Sequence, residues 1–307
     1  MLVHQGLCCR RYSGMIRFVI LLTSLFLGFS AFAKTGPKQP EELGAITWMR
    51  NFDQALKASE ETGKPVLILF QEVPGCSNCT TYGNSILSEP LLVEAIEDLF
   101  VPLAVFNNKG GKDAAVLKRY NEPSWNNPVV RIVDAQGENL IDRLPNFRSA
   151  AQLSSGMLSA LRRSELKVPK YLQLINEEHI LKEQKKAVAT FQTACFWTGE
   201  AYLGKQSGVV STESGWQNGR EVVRVEYSIG ATSEEVLAKA ATRRQYKKTE
   251  KGTFRRDRQT KYYLSKSKYT KVEMSELQAI RVNTFLAEGR NANVLLSPRQ
   301  LAVMGGN

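Results

Sequence analysis

Three cysteines carry the chemistry this chain could do. "VPGCSNC" (residues 73–79) sets Cys76 and Cys79 either side of two residues, directly after the apolar run "PVLILFQ", and "TACFWTGE" (193–200) sets Cys195 beside Phe196 and Trp197. A C-x-x-C that follows a buried strand and opens a helix suits thiol-disulfide exchange, because the helix N-terminus favours the first thiolate and the second thiol lies one turn on. Cys76 is then the attacking thiol and Cys79 the resolving one. Such a site needs no cofactor beyond its own dithiol and an external thiol reductant. Two other readings exist for the pair: half of a zinc site, which lacks a second ligand pair or a nearby histidine, and an inert structural disulfide. Cys195 also stands where a strand gives way to a helix, a place that stabilises a thiolate. A buried, unreactive cysteine is the alternative there.

The composition bounds what these cysteines serve. At 307 residues the chain suits two domains of ordinary size, and 43% hydrophobic with 23% charged residues describes a folding, globular sequence. Residues 15–33, "MIRFVILLTSLFLGFSAFA", have a basic start, a short apolar run and the small-x-small ending of Ala31 to Ala33, which reads as a signal peptide over residues 1–33. The run is short for a membrane span, so no stable span is expected after cleavage, and the protein is expected in the periplasm or outside the cell. Cys8 and Cys9 would leave with that segment. Cys76, Cys79 and Cys195 would remain, an odd count that points to one free thiol in an oxidising compartment. Loss of Arg10, Arg11 and Arg17 takes the formal charge from +11 to about +8. The excess concentrates in residues 239–271; with no nucleic-acid motif beside it, a solvated face is expected and no nucleic-acid partner.

The elements that must position the cysteines follow from periodicity. A helix ending at "TGKP", the strand "PVLILFQ", a helix opened by Ser88, the strand "FVPLAVFNN", a helix in "DAAVLKRYN", strands "NPVVRIVD" and "NLIDRL", and an amphipathic helix over 149–166 alternate as in an α/β domain spanning 34–165. Residues 166–186 read as a charged connecting helix. "AVATFQ", a helix start at Cys195, the strand "EVVRVEYS" and the helix "SEEVLAKAATRR" form a second domain over 187–265, followed by a helical extension over 266–307.

Strand, C-x-x-C, helix and the later "SWNNPVVRIVD" resemble the thioredoxin superfamily over about residues 45–165, and "GKPVLILFQEVPGCSNC" looks most like its secreted members with a "VPG" site. The resemblance implies a thioredoxin-like fold with Pro128 as the cis-proline facing the cysteine pair. "ATFQTACFWTGEAYLGKQSGVVSTESGW", "REVVRVEY" and "DRQTKY" resemble the peptide methionine sulfoxide reductase A family over 187–265. That likeness implies a smaller α+β domain, a ferredoxin-like plait. It puts Cys195 on the nucleophile, Glu221 on the acid that protonates the sulfoxide oxygen, and Phe196 and Trp197 on the wall that holds the methyl group. Asp257 and Tyr262 fall on oxygen-recognition positions, and Trp216 stands where the family has a tyrosine.

These roles agree with elementary chemistry. A sulfoxide is a poor electrophile until its oxygen is protonated, so a thiolate needs an acid opposite and a dry aromatic wall. Reduction leaves Cys195 as a sulfenic acid, and Cys76 and Cys79 can return it to the thiol. The expected function is reduction of methionine-S-sulfoxide in proteins, recycled by the N-terminal pair. The partners implied are oxidised proteins or peptides and an upstream thiol-disulfide reductase. The alternative is a thiol-disulfide oxidoreductase whose second domain only binds substrate.

Overall fold

The computed structural model describes residues 39–75, 77–125, 128–145, 148–249 and 252–305. The expected signal segment and Cys76 lie outside them. Residues from Gln39 onward pack as one compact unit.

Asn51 opens α1 (Phe52–Thr62) by accepting the Gln54 N–H at 3.0 Å, and Gly63 closes it at φ 70°, a left-handed conformation that suits glycine. β1 (Val66–Gln71) follows and is buried at all six positions, as a strand covered on both faces must be. α2 (Ser77–Ser85) and α3 (Pro90–Leu99) lead to β2 (Val101–Phe106). α4 (Lys112–Tyr120) leads to β3 (Val129–Val133), and α5 (Ala150–Arg163) and α6 (Lys170–Glu183) follow. The sheet order is β2-β1-β3, with β2 parallel and β3 antiparallel to β1. Alternation along β1 divides the core. Leu67 and Leu69 meet Leu92, Ile96, Met157 and Ile175 on one face, while Val66, Ile68 and Phe70 meet Ala55, Val116 and Tyr120 on the other.

Two local expectations are corrected. Glu89, not Ser88, is the residue before α3, with Pro90 supplying its first position; Ser88 instead donates its hydroxyl to the Gly83 carbonyl at 2.7 Å. "NLIDRL" is not a strand: its pairing with β3 is limited to isolated bridges, Val133 with Asn139 and Val130 with Leu144. Its side chains are used otherwise. Ile141 and Leu144 pack beneath Gly156, and Arg143 joins Arg131 on the buried carboxylate of Glu122, each at 2.8 Å.

A second sheet is wholly antiparallel. β4 (Lys186–Gln192) runs into α7 (Phe196–Gly204). β5 (Val209–Gln217) and β6 (Arg220–Ser228) form a hairpin through Asn218 and Gly219, both at positive φ as a tight two-residue turn requires. Then come α8 (Glu234–Thr242), β7 (Lys247–Thr249), β8 (Arg255–Arg256), α9 (Tyr262–Ser265), α10 (Glu276–Ala287) and α11 (Pro298–Gly305). The strand order is β7-β4-β6-β5-β8. Phe191, Phe196, Leu203, Val223 and Val225 form its core.

α6 is no flexible tether. Tyr171, Leu172 and Ile175 are buried in the first core, and Leu181 packs with Val210 and Leu277 on the second sheet's side. The C-terminal segment fastens the two parts as well: Glu94 on α3, 3% exposed, accepts the Ser297 hydroxyl at 2.6 Å and the Arg299 N–H at 2.7 Å at the start of α11. In the basic 239–271 stretch Lys248 pairs with Glu234, Arg256 with Glu213 and Lys261 with Glu276. No helix among the described residues is long and apolar enough to cross a membrane.

Candidate active site

The first site is built on the loop that leaves β1. Val73-Pro74 is a cis peptide. Asn108 fixes the loop from one side, accepting the Val73 N–H at 3.3 Å and donating to the Pro74 carbonyl at 3.1 Å. From the other side the buried Glu42 accepts the Gly75 N–H at 2.6 Å. Gly75 is required here by space: a Cβ would lie 2.6 Å from Cβ and 3.0 Å from Sγ of Cys79. Cys79 is fully buried on α2, consistent with a sulfur approached only through its neighbour. Pro128 is buried at the head of β3; since Val129 pairs with Phe70, it lies opposite Gln71, next to the site loop. Asn127 is outside the described residues, and so is the peptide bond expected to be cis.

The second site gathers at one end of the antiparallel sheet. Past β4 the Thr193 N–H still bonds to the Glu221 carbonyl at 2.9 Å, and Cys195 then caps α7 with extended backbone. Its thiol is free and half-buried. Gly199 lets α7 press close, since a Cβ there would sit 2.6 Å from the Thr193 methyl. Glu221, the second residue of β6, turns its side chain onto the start of α7, where Oε2 accepts the Phe196 N–H at 2.7 Å. The carboxyl and the thiol are thereby held one residue apart.

Aromatic rings complete the surround. Trp216 is the cross-strand partner of Glu221, and its ring meets that of Phe196 edge-on at 5.4 Å. Phe196 meets Trp197 at 5.5 Å, and Trp197 stacks on Tyr262 at 4.0 Å. Asp257 is brought in by its backbone N–H on the Ser214 carbonyl at 2.9 Å. It accepts the Trp216 indole N–H at 3.3 Å and the Gln259 N–H at 2.8 Å. Trp216 therefore offers its indole N–H to Asp257. Cys195, Glu221, Phe196, Trp197, Trp216, Asp257 and Tyr262 thus share one neighbourhood, joined by direct contacts or adjacent backbone.

Two further residues belong to it. Glu200 on α7 is 1% exposed, accepting the Lys261 N–H at 2.6 Å and the Thr212 hydroxyl at 3.3 Å. It fixes Lys261 at φ 51° and with it the segment from Asp257 to Tyr262. Burial pushes its carboxyl up to about 7, against the opposing pull of the Lys261 amide and ammonium. Tyr263 follows Tyr262, and its phenol is pushed up by burial first and then by the negative charge of Cys195, which places it within electrostatic reach of the thiol. Glu200 lies within "TACFWTGE" and Tyr263 within the basic 239–271 stretch, but no period or spacing marks a buried carboxylate whose partner is a backbone amide sixty residues on.

The position of Glu200 has a consequence for stability. Its folded-state value lies above the ordinary 4.5, so the folded chain keeps a proton that the unfolded chain releases. Stability is fully present below about 4.5 and falls as pH rises to about 7, by on the order of 3 kcal/mol. Glu200→Gln should flatten that part of a urea-midpoint profile; an unchanged slope would assign the fall to other groups.

Among the described residues no cluster of three histidine, cysteine, aspartate or glutamate side chains could hold a metal ion. Residues 47–135 match the family model described as thioredoxin-like. A solved structure, a DsbH oxidoreductase, is similar at 20% identity over 41% of this chain and 89% of its own, with a TM-score of 0.33. No curated protein matches the chain. With a buried central strand, a C-x-x-C loop and helix α2 in that order, residues 47–135 are a thioredoxin-like domain.

Proposed function

We propose that the protein reduces methionine-S-sulfoxide in oxidised peptides and proteins at Cys195, and that the Cys76 and Cys79 dithiol returns Cys195 to its reduced form. The observation that carries this reading is the meeting of a free, half-buried thiol, the Glu221 carboxyl on the adjoining amide, and a wall of Phe196, Trp197 and Trp216. The Cys195 thiolate attacks the sulfoxide sulfur while Glu221 protonates the oxygen. The hydroxyl so formed passes from the methionine sulfur to the Cys195 sulfur as the bond between the two sulfurs breaks, so that methionine leaves as the thioether and Cys195 becomes a sulfenic acid. Cys76 then displaces water from that acid to form a mixed disulfide, and Cys79 displaces Cys195 by closing the Cys76–Cys79 disulfide. An outside thiol reductant reduces it. The signal-like residues 1–33 favour a compartment outside the cytoplasm for these steps.

The packed helix α6 bears on how the two sites meet. Asn78 and Thr81 of α2 share a cavity with Lys182 and Glu183 at the end of α6, next to the start of β4. Cys195 lies past the other end of β4, a strand length of ~20 Å. Exchange between two molecules needs no rearrangement of that packing, so recycling proceeds between chains.

A second reading, a thiol-disulfide oxidoreductase whose antiparallel half only binds substrate, is favoured by the family match ending at residue 135. Purified protein with a dithiol reductant should reduce the S epimer of a methionine sulfoxide peptide and not the R epimer. Reduction of neither, with retained disulfide reductase activity, selects the second reading. Given one equivalent of sulfoxide, Cys79→Ser should accumulate a Cys76–Cys195 disulfide joining two chains, in a yield that rises with protein concentration. A concentration-independent bond within one chain would show that the two ends of β4 come together, and unchanged multiple turnover would show that the pair has no part in recycling.

A further inference from the structure

A cavity of about 330 Å³ starts one helical turn from Cys195 and belongs to none of the roles above. Thr198, Tyr202 and Lys205 form its α7 wall, three positions spaced so that they share one face of the helix. Thr198 donates its hydroxyl to the Cys195 carbonyl at 3.0 Å, so the wall begins at the cysteine's own turn. Tyr263 lines the same cavity and meets Tyr262, the ring stacked on Trp197, at 5.6 Å, so the cavity adjoins the aromatic wall beside Cys195.

The charges in this cavity are unequal. Lys205 is already held by Glu288 at 2.7 Å, and Glu288 also takes Arg290 at 2.9 Å. Arg244 has no carboxylate partner among the described residues; its guanidinium is exposed, 5.0 Å from the centre of the Tyr202 ring, which fixes its direction into the cavity. Tyr202 is itself anchored by its hydroxyl on the Ala240 carbonyl at 3.0 Å and by an edge contact with Tyr246 at 6.0 Å. A peptide passing over these rings would meet one unspent cation. Tyr202 is seven residues past Cys195, ~10 Å along the helix axis, and an extended peptide advances ~3.3 Å per residue.

We propose that this cavity is a subsite for the chain flanking the oxidised methionine, and that Arg244 selects substrates with a carboxylate side chain about three residues from the sulfoxide. The proposal rests on the reading of Cys195 given above.

The test compares the full chain and Arg244→Ala on three substrates: N-acetylmethionine S-sulfoxide, and peptides with glutamate or glutamine three residues from the sulfoxide, placed on either side. The small substrate ends before the cavity, and both proteins should reduce it equally. The wild-type chain should favour the glutamate peptide of one polarity by about 5-fold in kcat/KM, the worth of one exposed charge-assisted hydrogen bond. That preference should fall as salt rises and vanish in Arg244→Ala. No preference in the wild-type chain, or one that survives Arg244→Ala, overturns the subsite alone. Failure to reduce N-acetylmethionine S-sulfoxide overturns the reading of Cys195 and the subsite with it.

Discussion

Cys195→Ser should abolish reduction of methionine-S-sulfoxide with any reductant. Serine keeps the backbone that caps α7, so the Glu221 bond to the Phe196 amide and the packing of Gly199 on Thr193 are retained. It offers no group able to take the oxygen and pass it on, because a hydroxyl forms no counterpart of the sulfenic acid. The loss is therefore expected to be total in kcat, with the thermal midpoint unmoved. Residual turnover, supported by Cys76 and Cys79 alone, would place sulfoxide reduction in the thioredoxin-like domain.

Glu221→Gln should lower kcat/KM by ~100-fold or more, the usual cost of removing a positioned proton donor from a leaving oxygen. The amide oxygen of glutamine still accepts the Phe196 N–H, so the geometry around Cys195 stays in place while the proton is lost. The effect should fall on kcat and weaken for substrates whose oxygen needs less help to leave. Equal rates in the two proteins would move the acid to another group, and Asp257, on the Trp216 indole N–H, is the nearest alternative.

How much of this was legible in the sequence differs between the two halves. β1 could be read because five consecutive apolar residues, Val66 to Phe70, leave a strand no polar face, and α1 because asparagine and glycine mark its ends. β4, α7 and β6 around Cys195 followed from pattern and β5 did not, and the closeness of Cys195, Glu221 and Asp257 came only from likeness to a family. Nothing in a strand's period announces that a glutamate at its second residue turns back onto a helix start. Ser88 misled because serine caps helices and also bonds local carbonyls equally well, and Gly83 offered one. "NLIDRL" misled because Ile141 and Leu144 are apolar to fill the space beneath Gly156, not to alternate across a sheet. The clamp of Glu94 on Ser297 and Arg299 joins residues more than two hundred apart through side chain and backbone, a distance over which composition and periodicity carry no information.

The most direct measurement is a single turnover with the sulfenic acid caught. Cys76→Ser, with Cys195 reduced and excess reductant removed, is given one equivalent of the S epimer and a carbon nucleophile specific for sulfenic acids, and both methionine and the modified peptide are quantified by mass spectrometry. One methionine formed per chain, with the adduct on the peptide carrying Cys195, is the result predicted. Methionine without an adduct at Cys195, or no methionine at all, would contradict the assignment of this thiol as the group that takes the oxygen.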